Sequence, residues 1–295
     1  MGTGQDVAGQ AAGDGQGERR DLFAAPSVPI AYQRFLEPVM FAPWAERLVE
    51  MVGISPGDAV LDVACGTGAA ARAAAVRAGS AGRVVATDLS QGMLDQLLRN
   101  GGSVAPKETI LIETIPIETM QCPATALCVD DKTFDVVLCQ QGLPFVPDRN
   151  AAVAEMRRVL RPGGRAGIGV WLSTARLEPF IHYGDALAAH GVPEPFPGAY
   201  DSTPITMTES EVRQALESAG FAEIDVVVQS LDVVWPDPEW AAAAMSGTPF
   251  GPAVASLDPG LAEEVLDDVR SRMTGPGGAA RSHRTTSILA RAIAP

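Results

Sequence analysis

Apolar and polar residues follow two different periods along the chain. From residue 59 onward, short apolar runs of strand length are each followed by a segment in which apolar residues recur every three or four positions. Strands that alternate with helices predict right-handed crossovers and a doubly wound, mostly parallel α/β sheet. The predicted strands are AVLDVA (59–64), RVVATDLS (83–90), a β-rich stretch over 108–118, FDVVLCQQ (134–141) and RAGIGVWL (165–172), with helices over 69–77, 91–100 and 150–160.

The residues before the first strand divide into two parts. Residues 1–28 are rich in Gly, Ala and Gln without periodicity, which predicts a flexible N-terminal arm. Residues 30–52 carry apolar positions at helical spacing. Pro38 and Pro43 are predicted to divide them into short helices, which would form a lid in front of the first strand.

The last third of the chain departs from the regular alternation. It is predicted to contain helices over 178–191 and 208–220, a proline-rich loop over 191–204, a strand over 222–235, two further helical stretches and a final strand over 285–294. Segments of about 172–208 and 236–278 are interpreted as insertions that build a helical cap. The predicted domain therefore spans 29–295, with its core at 53–171 and its C-terminal strands within 221–293.

Charge and composition narrow the class of partner. The 295 residues are 46% hydrophobic and 20% charged, which is typical of a globular protein, and the formal net charge is −14. Nucleic acids and anionic membranes are bound largely through Lys and Arg, so a small-molecule partner is favoured. No apolar run is long enough to span a bilayer and no secretion signal is evident, so we expect a cytoplasmic protein. The sequence leaves open whether the protein forms a homo-oligomer.

The cysteines do not predict a metal centre. Cys65, Cys122, Cys128 and Cys139 lack CxxC spacing and lie in or beside predicted strands and loops. We expect reduced, packed thiols rather than a disulfide, and no bound metal.

A glycine-rich turn is the strongest chemical signal. Gly66-Thr67-Gly68 follows the first strand directly and opens a helix, so a ligand can lie against the backbone there. Asp88 ends the second strand, where a carboxylate can accept hydrogen bonds from ribose hydroxyls. With Ala71, the turn also satisfies the dinucleotide fingerprint GxGxxG/A. Asp62 within the first strand could instead hold a cationic amino-acid group, and no second nucleotide-binding half is apparent, which favours S-adenosylmethionine.

Four segments in order resemble motifs of the class I S-adenosylmethionine-dependent methyltransferases, within the group of ubiquinone/menaquinone-type small-molecule enzymes. They are VLDVACGTG, VVATDLSQGML, TFDVVLCQQGLPFVPD and MRRVLRPGGRAGIGVW. The resemblance is close over about residues 31–171 and implies a Rossmann-like methyltransferase fold with a seven-stranded sheet.

The resemblance implies a cofactor-binding role for particular residues. The methionine portion would be surrounded by Asp62, Ala64, Gly66, Thr67 and Gly68, the ribose held by Asp88, and the adenine sandwiched by Leu89 and Met93, with Ala124, Gln140 and Tyr32 completing the site. Tyr32 would contact the cofactor carboxylate, although Tyr32, Leu89 and Met93 also fit ordinary core packing.

The chain departs from this family beside the expected adenine site. Pro123 stands where relatives usually carry an acidic residue that accepts the adenine amino group, and Cys128 replaces a usual proline. Adenine recognition is therefore expected to rest on backbone groups near Ala124 or on Gln121.

The acceptor is expected to bind under the cap. Nine of the sixteen aromatic residues fall between Trp171 and Phe250. They predict an apolar pocket, although they also fit a role in fixing the cap to the sheet. The predicted substrate-pocket residues are Phe145, Trp171, Phe180, His182, Tyr183, Phe196 and Tyr200. His182 is the candidate general base, against the alternative that it is a hydrogen-bonded wall residue.

The predicted function is methyl transfer to a small, largely apolar metabolite in natural-product biosynthesis, with a C, O or N acceptor. The alternatives are an S-adenosylmethionine-binding protein with a non-methylating or structural role and, less favoured, an NAD(P)-dependent oxidoreductase.

Overall fold

The computed structural model describes residues 25–99, 116–193, 195 and 205–295. The predicted arm lies almost entirely outside this range, as do the predicted pocket residues Phe196 and Tyr200 and the first part of the β-rich stretch. The described helices are α1 (Ser27–Ala31), a π-helical segment (Tyr32–Phe41), α2 (Ala42–Val52), α3 (Ala69–Ala78), α4 (Gln91–Arg99), α5 (Arg149–Val159), α6 (Glu178–Ala189), α7 (Glu209–Ser218), α8 (Pro238–Ala243), α9 (Phe250–Ala255) and α10 (Pro259–Met273).

The described strands form one sheet. They are β1 (Ala59–Val63), β2 (Arg83–Asp88), β3 (Ile117–Gln121), β4 (Phe134–Gln140), β5 (Leu160–Leu172), β6 (Thr206–Met207), β7 (Ala222–Val233) and β8 (His283–Ile293). Their order across the sheet is β3-β2-β1-β4-β5-β8-β7. Strands β1 to β5 pair in parallel, and β8 is antiparallel to both β5 and β7. The predicted mostly parallel doubly wound sheet is confirmed.

An eighth, two-residue strand was not predicted. Strand β4 pairs with β5 as far as Gly169, and β6 then pairs with β5 at Trp171 and Leu172. A strand of two residues carries no readable alternation, which explains why the sequence did not indicate it.

The order of the strands reverses between β1 and β4, because the chain leaves β1 toward β2 and returns on its other side to β4. Ligands of open parallel sheets bind beyond the carboxyl ends of the strands at such a point. Strand β1 leads into the glycine loop, which we define as residues 64–68, and β2 and β4 end at Asp88 and Gln140.

The lid, residues 27–52, is continuous, so the prediction that Pro38 divides it is wrong. Pro38 lies inside the π-helical segment, whereas Pro43 lies in the first turn of α2. Proline cannot donate to the carbonyl one turn before it, and we attribute the wider turns here to that missing bond. Pro43 needs no such adjustment because the first turn of a helix has no internal partner for its amides.

The core lies on both faces of the sheet. Helices α2 and α3 and the cap pack on one face, and α5 and α7 pack on the other. The lid packs closely on β5 at Gly167, where an added Cβ would lie 2.4 Å from Val52 Cγ2. The lid is therefore anchored directly on the middle of the sheet.

The cap consists of α6 and the segment 236–278, which contains α8, α9 and α10 instead of the two helical stretches predicted. It is fixed to the lid by Trp240 Nε1, which donates to the Phe35 carbonyl at 2.8 Å. The turn after α8 lies so near the lid that a Cβ at Gly247 would be 2.5 Å from the Tyr32 backbone. In the described part of the chain, no helix has the length and apolar character that a bilayer crossing requires.

Candidate active site

A cavity of about 1610 Å³ opens at the carboxyl ends of the parallel strands, between the sheet, the lid and the cap. Most of the predicted site residues line it, namely Tyr32, Asp62, Ala64, Gly66, Thr67, Asp88, Leu89, Met93, Ala124, Gln140, Phe145, Trp171 and Phe180. Gly68 lies behind the cavity wall, where its φ of +90° begins α3 and an added Cβ would meet Leu97 at 2.5 Å. The cavity is larger than a typical single-ligand pocket of roughly 300–1,000 Å³ and has room for a cofactor and an acceptor together.

Three amides of the glycine loop, those of Cys65, Gly66 and Gly68, are already engaged within the protein. The Gly66 N–H donates to Asp88 Oδ2 at 2.8 Å, and the Gly68 N–H donates to the Cys65 carbonyl at 2.9 Å. Cys65 itself donates to the Thr87 carbonyl at 2.9 Å. Dinucleotide-binding loops present such N–H groups to a pyrophosphate. The geometry therefore argues against a pyrophosphate ligand here.

Two carboxylates lie beside this loop instead. Asp62 is 1% exposed, and neither of its carboxylate oxygens has a hydrogen-bond partner among the described residues. Burial raises its pKa to about 7 and the Asp88 carboxylate adds to the rise, whereas Arg72 and the nearby Ala71 amide, which lies outside hydrogen-bonding geometry, oppose it. A buried carboxylate without a partner is costly, and a cationic ligand group would relieve that cost.

Asp88 is held in place by two backbone amides. Oδ2 accepts from Gly66, and Oδ1 accepts from the Ser90 N–H at 2.8 Å. Burial raises the pKa of Asp88, and these hydrogen bonds oppose the rise. Each oxygen retains a lone pair that can accept from a ligand hydroxyl.

The lid supplies a third carboxylate, which the sequence did not single out. Glu37 is buried and accepts hydrogen bonds from Thr67 Oγ1 and from Arg72 Nη2. Arg72 also donates to the Thr67 carbonyl through Nη1 at 2.7 Å. Around the loop, the carboxylates of Glu37, Asp62 and Asp88 face the single guanidinium of Arg72, so this cluster of side chains is net negative.

The cavity wall next to Asp88 is largely apolar. Leu89 is 48% exposed on the cavity wall, while Met93 is buried beside it and residues 122–125 lie opposite. Gln121 does not line the cavity, because its Nε2 donates to the Leu89 carbonyl at 2.9 Å. The expectation that Gln121 recognises adenine is corrected accordingly, whereas Ala124 and its neighbours from Cys122 to Thr125 do line the cavity.

The end of β4 carries a strained backbone. Gln141 has a φ of +57°, which is uncommon outside glycine, and its Nε2 donates to Ser287 Oγ at 3.0 Å. Gln140 on the cavity wall donates to the Phe41 carbonyl at 2.8 Å and so joins this strand end to the lid. Strained positions of this kind cluster at functional sites. Gln141 was missed because positive φ leaves no mark in the hydrophobic pattern.

Aromatic rings line a second part of the cavity. Trp171 and Phe180 line it as predicted, and Phe41 and Tyr32 of the lid join them. The Tyr32 and Phe41 ring centroids are 4.9 Å apart, and those of Phe41 and Trp171 are 5.9 Å apart. Burial and the neighbouring Glu37 and Asp88 raise the pKa of Tyr32 well above its usual value, so its hydroxyl stays a donor.

The structure corrects the predictions for His182 and Tyr183, which both lie off the cavity wall. The His182 ring lies 5.5 Å from that of His283, on the side of α6 that faces β8, and burial lowers its pKa. The Tyr183 hydroxyl donates to the Ala241 carbonyl at 2.7 Å inside the cap. Phe180 reaches the cavity from the same helix, so residues two and three positions apart on α6 point to different sides of it.

Comparison with known proteins bears on the central part of the chain. Residues 61–168 match a protein family described as "Methyltransferase domain". The chain carries a class I methyltransferase domain. This confirms the resemblance that the four motifs indicated, and the matched range runs from β1 into β5, through the glycine loop, Asp88 and the end of β4.

Curated relatives match part of the chain. The ubiquinone/menaquinone biosynthesis C-methyltransferase of Xanthomonas campestris pv. campestris is 39% identical over 128 residues, which are 42% of this chain and 47% of that protein. The chain thus spans about half the length of the curated relatives that it matches. The lid, the cap and strands β6 to β8 all lie outside the family match.

Solved structures share the fold of the methyltransferase domain. Phosphoethanolamine N-methyltransferase 2 of Haemonchus contortus, in complex with S-adenosyl-L-methionine, has a TM-score of 0.57 at 16% identity and covers 94% of this chain and 60% of its own. The [4+2]-cyclase SpnF has a TM-score of 0.51 at 19% identity, covering 85% of this chain and 80% of its own. At these identities the likeness concerns the fold alone.

Proposed function

We propose that this protein transfers a methyl group from S-adenosylmethionine to a small, largely apolar acceptor. The observation that carries the proposal is the pairing of an unpartnered buried carboxylate, Asp62, with glycine-loop amides that are engaged by Asp88 and Cys65. Such a site suits a ligand with a cationic amino-acid group and a ribose. It does not suit a pyrophosphate.

The residues on the cavity wall fit that cofactor group by group. Asp62 would attract the ammonium of the methionine portion, and the Tyr32 hydroxyl would donate to its carboxylate. Asp88 would accept from the ribose hydroxyls, and Leu89 and Met93 would pack against the adenine ring. Gly66 would let the ligand approach, since an added Cβ there would meet nothing within 4 Å and would project into open space. The backbones of Ala64 and Ala124 would complete the contacts.

The protein would contribute orientation and exclusion of water. S-adenosylmethionine supplies a methyl group that is already activated by its positively charged sulfur. Transfer needs the acceptor atom in line with the methyl group, and a closed, dry cavity favours that arrangement. Gln140 lies at the end of β4, where its bond to Phe41 fixes the wall between the two halves of the cavity. The histidine proposed as a base lies elsewhere, so the acceptor must be reactive without His182.

The acceptor class follows from the aromatic half of the cavity and from the relatives. Trp171, Phe180 and Phe41 offer a surface for a flat or hydrocarbon-rich molecule. The curated relatives are named C-methyltransferases, which makes carbon the first acceptor atom to test, ahead of oxygen and nitrogen. We propose a metabolite of natural-product biosynthesis as the acceptor.

A second candidate function is a reaction that uses the bound cofactor without methyl transfer, or no reaction at all. One solved structure that shares the fold is that of a [4+2]-cyclase. The fold alone therefore does not decide the reaction. The net charge of −14 disfavours nucleic acid as a substrate for either function, and we propose a cytoplasmic location.

The test is incubation of the protein with methyl-labelled S-adenosylmethionine and a panel of aromatic and polycyclic acceptors. Equal amounts of S-adenosylhomocysteine and a labelled product support methyl transfer. An acceptor that is rearranged or cyclised without label in the product supports the second candidate instead.

A matched pair of variants makes the assay specific to this cavity. His182→Gln should retain activity, because that side chain lies outside the cavity wall. Trp171→Ala should lower activity about tenfold or more, because it removes a ring from the acceptor surface. Loss of activity in His182→Gln with an unchanged thermal midpoint would restore the histidine as a catalytic residue and contradict the assignment made here.

A further inference from the structure

A buried group of polar side chains joins the lid to the glycine loop. Glu37 of the π-helical segment accepts from Thr67 Oγ1 and from Arg72 Nη2, and Arg72 Nη1 donates to the Thr67 carbonyl at 2.7 Å. Glu37 and Thr67 are 7% and 1% exposed. We call this group the lid lock. Breaking a buried, hydrogen-bonded ion pair costs far more than breaking an exposed one.

The lid lock sits next to the residues that shape the cavity. Leu36, adjacent to Glu37 in the chain, lines the cavity together with Tyr32 and Phe41, all on the same π-helical segment. Glu37 lies near enough to Tyr32 to raise the pKa of that tyrosine. The position of Glu37 therefore helps to set the positions of these three residues in the cavity wall.

The glycine loop is the other side of the same contact. Thr67 is the central residue of the Gly66-Thr67-Gly68 turn, and its hydroxyl points to the lid and not to the open cavity. Any displacement of the lid separates Glu37 from Thr67 and Arg72. Such opening would expose these three polar groups to water, which can satisfy them.

A second contact of similar type confirms that the lid is held by polar groups. Gln96 Nε2 of α4 donates to Gln33 Oε1 at 2.7 Å, and both side chains are buried. This amide pair carries no charge, however, and lies outside the glycine loop. Glu37 ties the lid to the glycine loop, whereas Gln140 ties it to the end of β4 through the Phe41 carbonyl.

We propose that Glu37 is a positioning residue that holds the lid closed over the cofactor through Thr67 and Arg72, and so governs the release of the cofactor product. The inference rests on the proposed function for the identity of its ligand. The lock itself is a property of the protein without ligand, which permits a separate measurement.

The chain offers a matched control. Glu46 of α2 pairs with Arg77 of α3 at 3.7 Å, and both side chains are about half exposed. The two Glu–Arg pairs thus link the same parts of the fold, the lid and α3. The Glu37 pair is much less exposed, with side chains 9% and 18% exposed against 58% and 45% for the Glu46 pair, and of the two pairs it is the one that reaches the glycine loop. An exposed pair of this kind contributes little to stability.

The experiment compares Glu37→Gln with Glu46→Gln by the affinity and dissociation rate of S-adenosylhomocysteine, with the thermal midpoint of each unliganded variant measured in parallel. Glu37→Gln is expected to weaken binding about tenfold or more, mainly through faster dissociation, which corresponds to the loss of about 1.4 kcal/mol. Glu46→Gln should stay within about twofold of the parent protein. Equal affinities and rates for both variants would overturn the proposal.

A more conservative pair of variants at Thr67 controls for a folding defect. Thr67→Ser keeps the hydroxyl that donates to Glu37, whereas Thr67→Val keeps the shape and removes the hydroxyl. Thr67→Val should accelerate dissociation and Thr67→Ser should restore it, at similar thermal midpoints. A role in stability alone would lower the midpoint of Thr67→Val without changing the dissociation rate, and that outcome would count against the lock.

Hydrogen exchange separates this proposal from the proposed function. In the unliganded protein, amides over 32–41 should exchange faster in Glu37→Gln than in Glu46→Gln. If the parent protein fails to bind S-adenosylhomocysteine, the proposed function fails, while the exchange comparison still decides whether Glu37 holds the lid. Identical exchange in both variants would refute the lock whatever the ligand.

Discussion

Asp62 is the residue on which the electrostatics of the site depend. Its carboxylate is buried in β1 without a hydrogen-bond partner among the described residues, and burial raises its pKa to about 7. Strand β1 gains nothing from an aspartate there, because an apolar residue would pack without this penalty. The cost is explained if the carboxylate serves a cationic ligand.

The raised pKa of Asp62 predicts that cofactor binding depends on pH. Only the ionised carboxylate attracts an ammonium group, so affinity should be highest above pH 7 and fall as pH decreases through that value. Calorimetry with S-adenosylhomocysteine between pH 6 and pH 8.5 measures this directly. Asp62→Asn should weaken binding at pH 8 and flatten the profile, and a variant with the parent's profile would remove Asp62 from this role.

The same residue predicts a gain in stability on substitution. The folded pKa lies above the usual value for aspartate, so the folded state binds the proton more tightly and stability falls as pH rises from about 4 to about 7. Above pH 7 the ionised group remains unpaired. Asp62→Asn should therefore stabilise the unliganded protein by roughly 1–3 kcal/mol at pH 8. Chemical denaturation at pH 8 and pH 5 should show the larger gain at pH 8, and no gain at pH 8 would indicate that the carboxylate has a partner.

The sequence predicted some site residues and missed others for a physical reason. Asp62, Gly66 and Asp88 occupy fixed positions at strand ends, which the alternation of strands and helices locates. Glu37 and Arg72 lie 35 residues apart in the chain. No local sequence pattern indicates which acidic side chain of one helix pairs with which basic side chain of another. The single arginine early in the alanine-rich helix α3 was the one available signal.

At the scale of elements, two glycines of one loop should respond differently to alanine. Both have positive φ, but a Cβ at Gly68 would lie 2.5 Å from Leu97, whereas a Cβ at Gly66 would meet nothing within 4 Å. Gly68→Ala should destabilise the fold by more than about 1 kcal/mol through strain and overpacking. Gly66→Ala should cost less stability and still weaken binding of S-adenosylhomocysteine, because the added methyl group faces the space that the ligand would fill.

Thermal unfolding and calorimetry on the two alanine variants check this contrast. A Gly66→Ala variant that binds as tightly as the parent would show that no ligand approaches the loop at that point.

The elements were predicted best where hydrophobic periodicity is long and regular. Strands β1, β2, β4, β7 and β8 and helices α3 to α7 appear where the pattern indicated. The observed helices of the lid and cap differ from the predicted ones for two reasons. The lid contains a π-helical segment, whose period differs from the α-helical spacing used for the prediction. The cap contains short helices such as α8 and α9, which have too few residues to show periodicity.

At the scale of the whole molecule, function depends on contacts between distant segments. The cavity is lined by the lid, by the loops after β1, β2 and β4, and by the cap. The lid precedes the first strand in the chain, whereas the cap follows β5. The sequence predicted most of the residues that line the cavity, around the glycine loop and among the aromatic rings. It could not predict which side of α6 faces that cavity, which is why His182 and Tyr183 were misplaced.

The central claim is that the glycine loop, Asp62 and Asp88 bind an adenosyl amino acid and not a dinucleotide. Calorimetric titration of the intact protein at pH 8 with S-adenosylhomocysteine and, separately, with NAD⁺ tests it most directly. We expect one molecule of S-adenosylhomocysteine to bind per chain, and no heat of binding from NAD⁺. Saturable binding of NAD⁺ with none of S-adenosylhomocysteine would contradict it.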